Sequence, residues 1–137
     1  MREEDFPASM LGHFQHSALR VELPATRHQI RQALVEPEAL RQWWFPGWPP
    51  EEQHPLTVGQ KVELWWGVVP ILAQVRDLRP DYLQWQFSRS VDGLQTWYWG
   101  EGWVQVELEA VSLLPLGVGQ MWQLWRLREY IRRHPAP

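Results

Sequence analysis

Residues 117–134 read GVGQMWQLWRLREYIRRH, and this stretch decides the fold. Past the middle of the chain it is the one segment with a clear helical period. On a 3.6-residue wheel Met121, Trp122, Leu124, Trp125 and Ile131 fall on one broad face, with Leu127 at its flank. Gln123, Arg126 and Arg133 fall on the other face, and Arg128 projects between Leu124 and Trp125, inside the apolar arc. An amphipathic helix needs a surface to cover. The chain before it is patterned for strands, so the expected surface is a sheet, with Met121 and Trp125 directed at it.

That pattern begins early. In HFQHSALRVEL, residues 13–23, Leu19, Val21 and Leu23 alternate with Arg20 and Glu22, a period of two. Pro24 ends the strand. Thr26 and Gln29 form a T-x-x-Q capping box for a short helix with Ile30, Ala33 and Leu34 inward. Pro37 opens a second short helix. It runs into FPGWPP, residues 45–50, a Pro/Gly-rich loop flanked by Trp43 and Trp44. From Leu56 to Leu114 the chain reads as a meander. Val62/Leu64/Trp66, Ile71/Ala73/Val75, Leu83/Trp85/Phe87 and Val104/Val106/Leu108/Ala110 each alternate with polar neighbours. Gly67, Arg79-Pro80-Asp81, Asp92-Gly93 and Gly100-Glu101-Gly102 are the expected turns, and the short spacings favour antiparallel hairpins.

Composition removes several classes of function. The formal net charge is −3 with no basic tract, which argues against a nucleic-acid partner. Cysteine is absent, so disulfides, thiolate metal sites and a cysteine nucleophile are excluded. MREEDFPASM lacks the apolar core of a secretory signal, and no run approaches the ~20 apolar residues of a membrane span, so the expected location is the cytoplasm. Eleven tryptophans are the anomaly. At roughly 150–250 Å² each they exceed what a core of this size needs. Either the interior is roomy and aromatic-lined, or part of this surface meets a partner.

The element order is strand, two short helices, a run of antiparallel strands, and one final helix. A curved sheet gripping that helix leaves space between them, and the two short helices close one end of it. LRVELPATRHQIRQALVEPEALRQWWFPG resembles the opening of the START-related helix-grip superfamily (SRPBCC), which includes polyketide cyclase/dehydrase-like proteins and the activators of the heat-shock ATPase. Glu36-Pro37-Glu38 stands where that superfamily often has Asp-Pro-Glu, and Trp43/Trp44 where it has its Trp. Val75-Arg76-Asp77-Leu78-Arg79-Pro80 before Tyr82-Leu83 resembles its strand-to-strand step. The fold class implied is α+β: a curved antiparallel sheet wrapped around a C-terminal helix, with two short helices after the first strand. Residues 13–134 form the domain and 1–12 a loose lead-in. FPGWPPEEQHP replaces the Gly-rich segment usual after the second helix, and the final helix is short. These motifs speak to fold and hardly to activity.

Signatures of chemistry are sparse. His13, His16, His28, His54 and His134 have no metal-ligand spacing, so no metal or cofactor is expected. Ser17, Ser88, Ser90 and Ser112 lack a nucleophile context. The aromatic set says more. Trp66, Trp85 and Phe87 are expected to face Met121 and Trp125, with Trp44 and Phe45 closing one end, as walls for a flat or long apolar ligand. The plain reading is that these side chains fill the interior. Alternation places Trp65, Trp97, Tyr98, Trp99 and Trp103 on both faces, so one or two tryptophans are exposed and a homodimer is a candidate assembly. Arg128 either anchors a ligand carboxylate or extends to water, and the second reading is favoured.

The leading function is therefore non-enzymatic binding of a hydrophobic small molecule: a lipid, isoprenoid, quinone or aromatic polyketide-like compound. Its candidate ligand-binding residues are Trp44, Phe45, Trp66, Trp85, Phe87, Tyr98, Met121, Trp125 and Arg128. One alternative is a cyclase/dehydratase-type enzyme using Tyr98, Thr96 or His16. Another is a protein-interaction module, which an exposed tryptophan patch with no open cavity would favour.

Overall fold

The computed structural model describes residues 12–135. Six strands, β1 (His13–Glu22), β2 (Lys61–Trp66), β3 (Val69–Arg79), β4 (Tyr82–Arg89), β5 (Val91–Gly100) and β6 (Trp103–Ser112), form one sheet in the order β1-β6-β5-β4-β3-β2. Every neighbouring pair is antiparallel. Consecutive strands β2 to β6 pair through short turns, and β1 closes against β6 along its whole length, from His13↔Ser112 to Glu22↔Trp103. The helices are α1 (Arg27–Val35), α2 (Pro37–Trp43) and α3 (Leu116–Arg133). This is the expected α+β helix-grip architecture, a curved sheet holding a C-terminal helix with two short helices after the first strand. The expected lead-in, except Gly12, lies outside the described residues. No helix among them is long and apolar enough to cross a membrane.

Local chemistry sets the helix ends as the sequence implies. The Thr26 hydroxyl accepts from the Gln29 amide at 3.1 Å, and the Gln29 side chain accepts from the Thr26 amide at 2.9 Å, a complete capping box. Pro37 occupies the first turn of α2. The start of α3 has no side-chain cap of its own. Gln15 on β1 takes that role from about a hundred residues away: its Oε1 accepts from the Leu116 amide at 3.1 Å and its Nε2 donates to the Leu114 carbonyl at 2.8 Å.

Six tryptophans, Trp43, Trp44, Trp48, Trp85, Trp97 and Trp99, are buried. Trp85 and Trp97 come from the concave face of the sheet, and Trp43, Trp44 and Trp48 from α2 and the segment after it. They meet ring to ring, with Trp44 lying 5.5 Å from Trp43, 5.9 Å from Trp48 and 5.5 Å from Trp85. Trp43 also donates its indole N–H to the Ala33 carbonyl at 2.7 Å, tying α2 to α1.

This filling corrects the expected setting of α3. The buried face is Leu116, Gly119, Gln120, Gln123, Leu124, Leu127 and Ile131, while Met121, Trp122 and Trp125 are exposed. The reason is volume. With six large rings already in place, the close-packed space has no room for two more. Narrow side chains fit instead, and a Cβ at Gly119 would stand 2.7 Å from the Trp66 ring. The glutamines are buried because every amide finds a partner. Across the sheet Trp85, Gln95, Leu108 and Ser17 lie in one register row. Above that row Gln95 Nε2 donates to Gln123 Oε1 at 2.8 Å, and Trp97 Nε1 donates to Gln95 Oε1 at 3.1 Å. Gln120 Nε2 donates to Ser17 Oγ at 2.8 Å, and Gln123 Nε2 to the Phe45 carbonyl at 2.7 Å. The network bonds α3 to β1, to β5 and to the loop after α2.

Asp92-Gly93 is also not the turn that the sequence implies. The β4–β5 reversal falls at Arg89-Ser90, with Arg89 at φ 72°, and Gly93 lies within β5 opposite Phe87 and Ala110. A Cβ there would be 2.1 Å from the Glu109 carbonyl oxygen and 2.5 Å from the Ala110 Cα. Glycine is needed for close backbone approach, not for turning.

Two stability measurements check this arrangement. In urea denaturation, Gln123→Ala is expected to cost about 2–3 kcal/mol, because it orphans the Phe45 carbonyl and leaves Gln95 Nε2 only its 3.5 Å contact with Gln120 Oε1, whereas Trp125→Ala costs under about 1 kcal/mol. The reverse ranking would contradict the rotation of α3. Gly93→Ala is expected to cost about 3 kcal/mol, since the obstructing atoms are backbone; an unchanged denaturation midpoint would contradict the close approach.

Candidate functional site

Between the N-terminal half of α3 and the sheet lies an apolar cavity of about 50 Å³. Its walls are Leu64 and Trp66 from β2, Ile71 from β3, Phe87 from β4, Val91 from β5 and Leu108 from β6, with Trp44, Phe45 and Pro46 at one side and Leu116 and Gly119 above. The amides of Gln95, Gln120 and Gln123 supply its polar atoms. Phe45, Pro46 and Trp66 are the half-exposed members of the lining and mark its mouth. There the Phe45 and Trp66 rings meet edge to face, with centroids 5.1 Å apart. Drug-sized ligands occupy roughly 300–1,000 Å³, so the space as it stands admits a few water molecules or one end of a small molecule.

The residues singled out from sequence divide into three groups. Trp44, Phe45, Trp66 and Phe87 line the cavity. Trp85 is buried one layer away, in contact with Trp44 and Trp48. The others lie elsewhere. Tyr98 is on the convex face against Tyr82, with ring centroids 5.3 Å apart. Met121 and Trp125 are on the outer side of α3, because the Gln/Leu face of that helix is the one packed inward. Arg128 is also outside the cavity: its side chain is half-exposed and its Nη2 lies 3.9 Å from Glu129 Oε1. Its stem lies along the helix with Nε buried and without a hydrogen-bond partner among the described residues, while the side chain as a whole is 40% exposed.

Sequence reasoning missed Gln95, Gln120 and Gln123. A signal was present for each. Gln95 is in phase with Trp97 and Trp99 on β5, and Gln120 and Gln123 are in phase with Leu116, Leu124 and Leu127 on α3. A polar residue in phase with core positions marks a buried polar network rather than a solvent face.

The indole N–H groups of Trp44, Trp48, Trp85 and Trp99 are buried and have no hydrogen-bond partner among the described residues. A buried donor left unpaired costs free energy that an acceptor would recover. Of these four residues, Trp44 is the one that lines the cavity.

The candidate proton-transfer groups sit away from this space. His16 faces Glu109 on the convex side, Nε2 to Oε1 3.8 Å, and Thr96 Oγ1 accepts from Gln84 Nε2 at 3.2 Å on that same side. Partial burial, then the Glu107 carboxylate and the neighbouring Tyr82, hold the Tyr98 phenol above the usual tyrosine range. Burial and then Glu38 do the same for Tyr130 beside α2. Both phenols are neutral donors at physiological pH.

No protein-family model and no curated protein sequence matches the chain. Solved structures do match. DynU16, a putative protein in the dynemicin biosynthetic locus, superposes with a TM-score of 0.61 at 19% identity over 87% of this chain, which spans 48% of the DynU16 chain, about half its length. The AHSA1-like protein from Aeromonas hydrophila gives a TM-score of 0.65 at 13% identity, covering 88% of this chain and 94% of its own. The Aha1 dimer from Colwellia psychrerythraea gives 0.60 at 17% identity, covering 84% and 94%. At these identities the likeness is one of architecture, and it agrees with the strand order, the two short helices and the gripped C-terminal helix described above: the chain has the helix-grip fold.

Proposed function

We propose that the chain is a non-enzymatic binding module, with residues 13–134 as its domain, acting in the cytoplasm on a small apolar molecule that carries a carbonyl-type acceptor. The observation that carries this reading is the apolar cavity under α3, lined in part by Trp44, a residue whose indole N–H is buried without a partner. Of the classes the sequence leaves open, quinones and aromatic polyketide-like compounds have such an acceptor beside a flat apolar body. The ligand enters at the Phe45–Trp66 mouth. Because about 50 Å³ is too small for the whole molecule, Trp66 swings away from Gly119 as it enters. A cyclase/dehydratase activity has less support, since the polar groups on the cavity are amides, which do not transfer protons near neutral pH.

A second reading, a protein-interaction role, is favoured by the exposure of Trp122 and Trp125 on the outer side of α3. The dimeric state of the Colwellia Aha1 protein supports a homodimer as its form.

Native mass spectrometry of the purified protein, followed by titration with 1,4-naphthoquinone and tryptophan quenching as the readout, tests the cavity reading. Saturable quenching is expected. Trp44→Phe, which removes the N–H together with the five-membered half of the indole, should weaken binding about three- to tenfold and cost about 1–3 kcal/mol of stability in urea, since Trp44 is buried among other rings. Gly119→Leu, which crowds the mouth, should weaken it further. The absence of both a bound mass and saturable quenching would refute the cavity as a ligand site.

A further inference from the structure

Among the described residues nothing covers the outer face of α3. Val118, Met121, Trp122 and Trp125 recur at i, i+3, i+4 and i+7 with exposures of 52%, 61%, 49% and 48%. This is the spacing with which one helix docks on another surface. The Trp122 and Trp125 rings meet edge to face, centroids 5.4 Å apart and planes at 86°. Further along the same face the helix turns basic. Arg128 and Arg132 flank Glu129, with Arg126 and Arg133 at the margins. Tryptophan, methionine and arginine together are the residues enriched at protein–protein interfaces.

We propose that a second copy of this chain covers this face, through an antiparallel pairing of the two α3 helices about a two-fold axis at Trp125. The face is self-complementary in that orientation. It runs from Val118 to Arg132, and Trp125 is its midpoint. Trp125 then meets its own counterpart, Trp122 meets the partner's Arg128, and Val118 meets the partner's Arg132. Each guanidinium lies over an indole or an aliphatic side chain of the other copy, and the Trp122–Arg128 contact is a cation–π pair.

Charge selects the antiparallel orientation over the parallel one. A parallel pair would superimpose the two arginine clusters. The antiparallel pair sets the two Arg128 side chains about 9 Å apart and the two Arg132 side chains about 21 Å apart along the helix axis at a rise of about 1.5 Å per residue, at and beyond the ~8 Å screening length at physiological salt. Area sets the strength. The half-exposed side chains of Val118, Met121, Trp122, Trp125, Arg128 and Arg132 offer on the order of 500 Å² per copy, or about 1,000 Å² in total, the lower bound for a specific interface. The inner face of α3 is complete without the partner, so the dimer is reversible. This inference rests on the interaction reading and is independent of the cavity.

Sedimentation velocity from micromolar to millimolar concentration is the test. A monomer–dimer equilibrium is expected. Trp125→Glu should weaken it by about tenfold or more with circular dichroism and the urea midpoint unchanged, as should Arg128→Glu. Trp65→Glu, at the exposed tryptophan on the outer face of β2, should leave it intact. Because the chain has no cysteine, introduced cysteines report orientation. Under oxidation Trp125→Cys should cross-link to itself. Val118→Cys should not cross-link alone but should when mixed with Arg132→Cys. A monomer at every concentration, or dissociation by Trp65→Glu instead of Trp125→Glu, would overturn the proposal. Cross-linking of Val118→Cys to itself would overturn the antiparallel pairing. A monomer that binds phosphatidylglycerol vesicles through Trp125 would assign the face to anionic lipid instead. Naphthoquinone binding that persists in a strictly monomeric protein would remove the interaction reading and leave the cavity reading standing.

Discussion

The space between the sheet and α3 accommodates one set of large rings, and the tryptophans of β4, β5 and the α2 region occupy it. Everything else about the molecule adjusts to that filling. The helix cannot present its own tryptophans to the sheet, so it turns its narrower face inward. Gly119 leaves a slot for the Trp66 ring. The remaining void contracts to about 50 Å³ under the N-terminal half of the helix.

The same constraint explains why glutamines occupy core positions. Rotating α3 brings Gln120 and Gln123 over Gln95 and Ser17, where unsatisfied amides would be costly. The sheet and the Phe45 carbonyl satisfy them. The network also fixes the helix in rotation and register, which a purely apolar Leu/Ile contact would specify less sharply. One consequence is chemical: the cavity acquires neutral amides instead of acids or bases, and this suits binding better than proton transfer.

The excess of tryptophan thus resolves into two populations. Trp43, Trp44, Trp48, Trp85 and Trp97, from β4, β5 and the α2 region, are structural and packed ring on ring, and three of them keep an indole N–H unpaired. Those on α3 are displaced to the surface by the first group. The exposed aromatic stripe is the outer face of the same rotation that packs the core. A small cavity within and an apolar face without are two results of one packing decision.

Much of the fold was legible in the sequence because its signals are local. Period-two alternation in VELW, ILAQV, LQWQF and VQVELEA requires strands, and the Thr26/Gln29 box and Pro37 fix where the short helices begin. The spacing of turns requires antiparallel neighbours. The wall residues Trp44, Phe45, Trp66 and Phe87 were legible for the same reason, since phase along a strand sets which face a side chain joins. Phase could not settle the orientation of α3, which has apolar residues on two sides. Hydrophobicity alone ranks the Trp/Met stripe above the Gln/Leu stripe. Only the tertiary structure decided between them, because the deciding quantities are the volume already filled by distant tryptophans and the hydrogen-bond partners that Gln95, Ser17 and Phe45 provide. The role of Gly93 was hidden for a related reason: Asp-Gly signals a turn locally, but the approach of β6 to β5 gives the glycine its function. Local pattern determined the elements, and competition for a shared interior determined how they face one another.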